Sequence, residues 1–222
     1  MCRIAIMQPY LFPYIGYWQL FQEADKFVIL DDVNYFKKGW IHRNRIIVND
    51  KEHLFTIPVK GASQNKLIKD IDLDDKKWNN KFIKTLETSY SKAPFFNESF
   101  NLIINCIKNE EQNLSKYILH AFEVINNYLG IKVEIIPSSS IYNSQLKSTD
   151  KIIDICVKEK ATHYINSIGG ISLYSKDIFN SFGITLNFLK CNEDVPNLSI
   201  IDVLMNNSLE DVKNMIRQYQ LQ

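Results

Sequence analysis

The segment from Asp31 to Arg45 carries the densest set of polar side chains in the chain, interleaved with aromatic residues. Its two adjacent carboxylates could hold a metal, take a proton from an amine or accept hydrogen bonds from hydroxyl groups. Its arginines offer planar forks for phosphate or carboxylate. The candidate catalytic residues here are Asp31, Asp32 and His42, and the candidate substrate-binding residues are Lys38, Arg43 and Arg45. The alternative is a solvated loop whose charges pair with one another.

Asp31 and Asp32 directly follow the apolar residues 26–30, a run typical of a strand buried on both faces and central in its sheet. Adjacent residues of a strand point to opposite faces. We therefore expect one acid to face a ligand and the other to hold the following loop.

The segment from Gln8 to Tyr17 places two prolines and a glycine between a predicted strand and a predicted helix. These residues fix the path of a backbone that could approach a nucleotide phosphate. Neither a Gly-x-Gly-x-x-Gly pattern nor a Walker lysine motif is present, so the standard phosphate loops are excluded. The candidate substrate-binding residues in this segment are Gln8, Tyr10, Tyr14, Gly16 and Tyr17. The alternative is a rigid structural connection with aromatic packing.

The third candidate segment is Ser167-Ile-Gly-Gly-Ile-Ser172, which follows a predicted strand. Paired glycines allow close backbone approach to a ligand, so Ser167, Gly169 and Gly170 are candidate substrate-binding residues. His163 lies inside the strand, where a core histidine is the simpler interpretation than a catalytic base. The serines at 138–140 are typical of a hydrophilic linker.

Five apolar runs predict the strands that position these segments, at residues 3–7, 26–30, 132–136, 163–165 and 185–189. Helices are predicted between them, beginning near Ile15, at Ser148 or Thr149, and near Lys176. This alternation predicts a single α/β domain over residues 1–222, with a mostly parallel open sheet, Rossmann-like, and helices on both faces. Parallel strands end on one edge of a sheet, so the candidate segments should meet there.

Two further segments interrupt this alternation. Residues 40–60 predict an inserted β-hairpin around an Asn49-Asp50 turn. Residues 76–130 predict a helical segment, whose last helix begins after Asn113 and ends at Gly130. Ser208 predicts the start of a helix in which we expect the chain to end.

Composition excludes several classes of function. The 26 Lys and Arg residues nearly equal the 25 Asp and Glu, and a net charge of +1 gives no overall field to attract nucleic acid. No run approaches the ~18 apolar residues of a membrane span, and the N-terminus does not resemble a signal peptide. The four Cys and four His show no metal-ligand spacing, so we expect no metal site. We expect a soluble cytoplasmic protein that neither binds nucleic acid nor spans a membrane.

Four N-terminal segments are distinctive: Gln8-Pro-Tyr-Leu-Phe-Pro-Tyr-Ile-Gly-Tyr17, Ala24-Asp25-Lys-Phe-Val-Ile-Leu-Asp-Asp32, Trp40-Ile-His-Arg-Asn-Arg-Ile46 and Thr56-Ile-Pro-Val59. Together with Lys92-Ala-Pro-Phe-Phe96 and Leu198-Ser-Ile-Ile-Asp202, they resemble the WbqC-like protein family. The resemblance implies a bacterial cytoplasmic protein from gene clusters for O-antigen (lipopolysaccharide) or other surface polysaccharides. It does not supply an agreed set of catalytic residues.

The opening strand, loop, helix and second strand also resemble the first unit of the HIGH-motif nucleotidyltransferases, in which a His-x-Gly-His loop meets ATP phosphates. Here Tyr14-Ile-Gly-Tyr17 stands at the corresponding place, so both histidines are missing. ATP or another nucleotide is the cofactor that this architectural resemblance implies.

Two functions from different classes fit these observations. The first is a transferase or ATP-dependent ligase that attaches an acyl or aminoacyl group to the nitrogen of a nucleotide-linked amino sugar. Arg43 and Arg45 would hold phosphate, and Asp31 or Asp32 would orient the sugar or receive the amine proton. The alternative is a non-catalytic binding or accessory protein of polysaccharide assembly, in which exposed aromatic residues could form a homo-oligomer interface. A pocket shared by the first two segments would favour the enzyme.

Overall fold

The computed structural model describes residues 1–74, 77–192 and 197–222. Its strands are β1 (Arg3–Met7), β2 (Lys26–Ile29), β3 (Arg43–Val48), β4 (Lys51–Thr56), β5 (Val59–Lys60), β6 (Asp72–Leu73), β7 (Glu134–Ile136), β8 (His163–Ser167), β9 (Thr185–Cys191) and β10 (Tyr219–Leu221). Its helices are α1 (Ile15–Glu23), α2 (Lys77–Tyr90), α3 (Phe96–Ile107), α4 (Leu114–Leu129), α5 (Ser148–Lys158), α6 (Lys176–Ser181), α7 (Ile200–Asn206) and α8 (Leu209–Arg217). Lys76, the first residue of the predicted helical segment, lies outside the described residues.

The central sheet has six strands in the order β10-β9-β8-β1-β2-β7. All neighbours except β9 and β10 are parallel, which confirms the mixed α/β fold with a mostly parallel sheet. Two expectations were wrong. β2 is not central, because only β7 lies beyond it, and the chain does not end in a helix. The last strand, β10, pairs antiparallel with β9 and protects that edge.

The sheet is covered on both faces, as its strand sequences require. Ala5, Phe27 and Ile165 point into a large core that also contains residues of α1, α4, α7 and α8. Ile4 and Val28, on alternate strand positions, point into a second core with residues of α5 and α6. Since side chains alternate between faces, the near-continuous apolar strands supply both cores.

The hairpin β3–β4 and the helices α2 to α4 pack on the first of these cores. Asn49 and Asp50 both have positive φ, 50° and 59°, the combination that a two-residue hairpin connection needs. In α4 the Asn113 side chain accepts a hydrogen bond from the Lys116 backbone N–H, and Gly130 ends the helix at φ 71°. Both helix-end predictions are confirmed.

Candidate functional site

Two adjoining cavities open at the carboxyl ends of β1, β8 and β9. Cavity A has a volume of about 470 Å³ and is lined by Ile6, Met7, Gln8, Pro9, Tyr10, Tyr14, Tyr17, Leu30, Gly39, Trp40, Ile41, Asn166, Ser167, Gly169, Gly170, Leu173 and Tyr174. Cavity B has a volume of about 420 Å³ and is lined by Tyr10, Tyr14, Ile15, Trp40, Arg45, Ile168, Lys190, Cys191, Asn192 and Asn197. Three aromatic residues are common to both linings, so one elongated ligand could occupy the two cavities together.

The wall between the cavities is aromatic. The Tyr10 ring lies 6.5 Å from that of Tyr14, 6.1 Å from that of Tyr17 and 6.3 Å from that of Trp40, measured between ring centroids. Burial raises the pKa of Tyr14 to about 12 and also raises that of Tyr10, so both phenols stay protonated near neutral pH. They can donate hydrogen bonds to a ligand and offer ring faces for stacking.

Backbone and buried side-chain contacts hold this wall in place. The Tyr17 hydroxyl donates to the Gln8 carbonyl, and the Leu11 N–H donates to the Ile41 carbonyl at 3.0 Å. The second contact joins the first candidate segment to the second. The sequence alternation of Pro and aromatic residues thus forms both a rigid connection and a cavity wall.

Trp40 lies between two guanidinium groups. The Arg43 guanidinium carbon is 5.3 Å and that of Arg45 is 5.1 Å from the indole centroid, distances at which cation–π attraction operates. Arg43 donates to the carbonyls of Lys38 and Gly39 and so closes the loop on itself. This contact makes Arg43 a loop-shaping residue.

Arg45 has a different position, because it lines cavity B. One terminal nitrogen is 2.9 Å from a Glu52 carboxylate oxygen, and this ion pair is partly exposed. Its Nε–H is buried and has no hydrogen-bond partner among the described residues. A buried donor without a partner is costly, and because this nitrogen has almost no accessible surface, a ligand in cavity B would meet the accessible part of the Arg45 guanidinium instead.

The glycines shape the cavities through close packing. A Cβ on Gly16 would overlap the Cys191 sulfur and the Tyr14 ring, and one on Gly170 would lie 2.9 Å from the Asn166 amide nitrogen. Asn166 lines cavity A, but its amide already donates to the Tyr164 hydroxyl at 2.8 Å and accepts from the Ser167 N–H at 2.7 Å. Gly16 itself is not in either lining and acts by letting α1 approach β9.

Asp31 is almost fully buried, 3% exposed, and its carboxylate belongs to a serine network. It accepts from the hydroxyls of Ser138 at 2.6 Å and Ser115 at 3.0 Å, and from the Ser139 N–H at 3.2 Å. Burial raises the pKa of Asp31, and these hydrogen bonds oppose the rise.

Asp32 forms a buried ion pair. Its carboxylate lies 2.5 Å from the Lys151 ammonium, and the two side chains are 1% and 3% exposed. The Ser139 hydroxyl donates to its other oxygen. The cavity linings include neither acid, so the structure does not bring Asp31 or Asp32 to a ligand in cavity A or B.

His42 is also buried outside both linings. The Tyr35 hydroxyl lies 3.0 Å from its Nδ1. Burial, with a smaller contribution from the Arg43 charge, lowers the pKa of His42 to about 4, so the ring is neutral at neutral pH. The Lys38 side chain is exposed and lines neither cavity.

Eight of the sequence-predicted site residues lie in the linings. Cavity A is lined by Gln8, Tyr10, Tyr14, Tyr17, Ser167, Gly169 and Gly170, and cavity B by Arg45, with Tyr10 and Tyr14 common to both. Those outside are Gly16, Asp31, Asp32, Lys38, His42 and Arg43. Trp40 and Tyr174 line cavity A but were not among the predicted site residues. The position of Trp40 beside two arginines was a usable signal, whereas Tyr174 carried none.

No group of three or more His, Cys, Asp or Glu side chains within residues 1–74, 77–192 and 197–222 is arranged to hold a metal ion. In the same ranges, none of the helices combines the length and apolar character that crossing a membrane requires.

Fold and cavities together define an α/β protein with a two-part candidate ligand site at the carboxyl edge of its parallel strands. The chain matches the model of the WbqC-like protein family over residues 8–214 and belongs to that family. It is 28% identical over 219 residues to an uncharacterised protein, Rv1507c, of Mycobacterium tuberculosis (strain ATCC 25618 / H37Rv), covering 93% of this chain and 94% of that protein. No solved structure matches the chain, so the narrower Rossmann-like or HIGH-nucleotidyltransferase-like assignment stays a prediction.

Proposed function

We propose that this protein binds a nucleotide-linked amino sugar across cavities A and B and attaches an acyl or aminoacyl group to the sugar nitrogen, in surface-polysaccharide biosynthesis. One observation carries the proposal: an aromatic cavity adjoins an arginine-bearing cavity at the sheet edge where open α/β proteins bind ligands. Membership of the WbqC-like family supports the polysaccharide context.

The two cavities suit the two chemical parts of such a ligand. Rings of Tyr10, Tyr14 and Trp40 can stack on a base or a sugar, and the accessible part of the Arg45 guanidinium can pair with a phosphate oxygen. Each volume falls within the ~300–1,000 Å³ of typical small-molecule sites.

In the transfer step, the sugar amine attacks the carbonyl carbon of an activated acyl donor. The C–N bond forms, the donor's leaving group departs with its electron pair, and the amine proton passes to that group or to water. In the ligase version, a carboxylate oxygen of the acyl group would first bond to a phosphorus of ATP or another nucleotide and displace pyrophosphate or the nucleoside diphosphate, and the mixed anhydride so formed would be the activated donor. Asp31 and Asp32 take no part in this proposal, because their oxygens are engaged in the buried network.

A non-catalytic accessory protein that holds the same ligand is the second candidate. It is favoured by the composition of the linings, because the described residues of both cavities include no carboxylate and no imidazole. Such groups are the usual proton acceptors of enzyme sites.

Thermal-shift and calorimetric titrations with nucleoside diphosphates, nucleotide sugars and nucleotide-linked amino sugars test the binding. A ligand at about 100 times its dissociation constant should add about 2.7 kcal/mol to the unfolding free energy. Mass spectrometry of the amino sugar after incubation with acyl thioesters, or with amino acids and ATP, separates the two candidates. Binding without any mass increase supports the accessory protein, and no binding by any phosphate-bearing ligand contradicts both.

A further inference from the structure

Two loops that flank the mouth of cavity A expose large apolar side chains. The loop after β2 contributes Gly39, Trp40 and Ile41 to the lining, and the loop after β8 contributes Gly169 and Leu173. In these two loops the exposed fraction of the side chain is 61% for Phe36, 41% for Trp40, 53% for Ile171 and 68% for Leu173. We call Phe36, Lys37, Lys38, Trp40, Ile171 and Leu173 the mouth patch.

The two loops of the mouth patch carry more positive than negative charge, and the charge of Arg45 is partly offset by its ion pair with Glu52. Residues 34–45 contain Lys37, Lys38, Arg43 and Arg45 and no acid, and residues 167–176 contain Lys176 and no acid. The first acid to follow is the exposed Asp177. Across the whole chain, cations and acids are nearly equal, so this is a local excess of positive charge.

We propose that the mouth patch docks the protein onto the surface of a membrane that contains anionic lipids. Phe36 and the two lysines after it lie on one tight turn, in which the Gly39 N–H donates to the Phe36 carbonyl at 2.8 Å. Exposed aromatic rings reside in the headgroup region of a bilayer, while lysines bind anionic headgroups and bury their stems. Membrane docking goes beyond the proposed function and does not depend on it.

The shape of the mouth patch favours a lipid surface over a protein partner. Its exposed apolar side chains belong to two separate loops, of which Trp40 and Leu173 line cavity A, whereas a helix-binding or strand-binding site on a protein is a continuous groove or sheet edge. A fluid bilayer accepts separate projecting side chains without a complementary shape, and anionic headgroups match the charge.

The full-length protein is tested by co-sedimentation with vesicles of phosphatidylcholine, with and without phosphatidylglycerol. We expect binding to the phosphatidylglycerol vesicles and little to the neutral ones. Trp40 is the most exposed of the three tryptophans, so its fluorescence should shift to shorter wavelength on binding, and Trp40→Phe should lose that shift.

Two double variants separate the contributions. Phe36→Ser/Leu173→Ser and Lys37→Glu/Lys38→Glu should each lower the fraction bound by about tenfold or more. Ile141→Ser/Val157→Ser is the matched control, because it removes two apolar side chains that are 69% and 53% exposed elsewhere. Circular dichroism and melting temperature confirm that each variant is folded.

Failure of the wild-type protein to bind phosphatidylglycerol vesicles would overturn the proposal and favour a protein partner for the mouth patch. Equal binding by the control and the Phe36/Leu173 variant would overturn it as well. Nucleotide-sugar binding is measured in solution without vesicles, so a failure of membrane docking is distinguishable from a failure of the proposed function.

Discussion

The loops after β1 and β8 and the loops after β2 and β7 reach the same edge of the sheet, yet they use their polar groups in opposite ways. The first pair leaves aromatic rings, amides and backbone around an open cavity. The second pair closes on itself where it begins, with Asp31 and Asp32 bound to Ser138, Ser139 and Lys151, and only the later residues Gly39, Trp40 and Ile41 of the loop after β2 reach the lining of cavity A. A place at the carboxyl edge is therefore not sufficient for a ligand site, because what matters is whether the polar groups there already have partners.

The closed pair ties distant parts of the chain together. Asp31 joins the end of β2 to α4 through Ser115, and Asp32 joins it to α5 through Lys151. Each of these two contacts joins residues that are more than eighty positions apart in the sequence. We therefore regard the Asp31–Asp32 cluster as structural and expect its variants to change stability, whereas variants of the cavity wall should change ligand affinity.

Lys151→Met should give the largest effect. Removing one partner of a buried ion pair leaves an uncompensated charge, and we expect the unfolding free energy to fall by about 3–5 kcal/mol in urea denaturation. Lys158→Met is the matched control in the same helix, because its ion pair with Asp154 is partly exposed to solvent and should contribute less than about 1 kcal/mol.

A double variant makes this test sharper. Asp32→Leu/Lys151→Met removes both charges and should be more stable than Lys151→Met alone. If Lys151→Met kept wild-type stability and lost ligand binding, the contrast between the two loop pairs would be wrong.

His42 should give the next largest effect, on the pH dependence of stability. Its folded-state pKa of about 4 lies below the ordinary value of 6.5, so between these values the unfolded chain binds a proton that the folded one excludes. The unfolding free energy that depends on neutral His42 is fully present above about pH 6.5 and is lost as the pH falls towards about 4, by about 3 kcal/mol in total. Urea unfolding of the wild type and His42→Gln at both ends of this range measures it, and the loss on acidification should be smaller in the variant. Equal losses in both proteins would show that His42 is not responsible.

The sequence predicted elements well where local chemistry determines them. Helix α4 has Asn113 and Gly130 at its ends, and the hairpin turn has Asn49 and Asp50, residue types that tolerate the conformations required. Strand β10 was missed because three residues of mixed polarity carry no pattern, and only pairing with β9 makes them a strand. Tertiary pairing of this kind has no local signal.

The candidate site was only partly predictable, because contacts between residues far apart in the sequence leave no local signal. Strand ends and prolines located the loops that line cavity A, but the choice between an open and a closed polar loop depends on distant partners. Lys151 lies in an amphipathic helix, where a lysine normally indicates the solvated face, so nothing in the sequence marked it as the partner of Asp32. Without that partner, one of the two acids was expected to face a ligand and the other to hold the following loop.

Arg45→Ala should lower the affinity for nucleoside diphosphates and nucleotide sugars, and Arg43→Ala should affect it less. A charge-assisted hydrogen bond to phosphate contributes about 1.5–3 kcal/mol, which corresponds to a loss of roughly ten- to a hundredfold. Isothermal titration calorimetry measures the affinities, and Arg217→Ala, an exposed arginine outside both linings, is the control. Identical affinities in all three variants would remove cavity B from the ligand site.

The smallest effects are expected at two neighbouring tyrosines, where one substitution should lower ligand affinity and the other should lower the unfolding free energy. Tyr10 and Tyr17 lie in the same segment with ring centroids 6.1 Å apart, and Tyr10 lines both cavities, whereas the Tyr17 hydroxyl donates to the Gln8 carbonyl. Tyr17→Phe leaves that carbonyl without its donor and should reduce the unfolding free energy by about 1 kcal/mol. Tyr10→Phe keeps the ring for stacking and removes the hydroxyl of a residue that lines both cavities, so ligand affinity should fall by about 1 kcal/mol, roughly fivefold, with little change in stability. Melting curves and calorimetric titrations on both variants provide the comparison. If Tyr17→Phe instead lowered ligand affinity and Tyr10→Phe lowered the unfolding free energy, the ligand-facing wall of cavity A would include the Tyr17 hydroxyl. The boundary between ligand-facing and structural groups would then lie one helical turn further into α1.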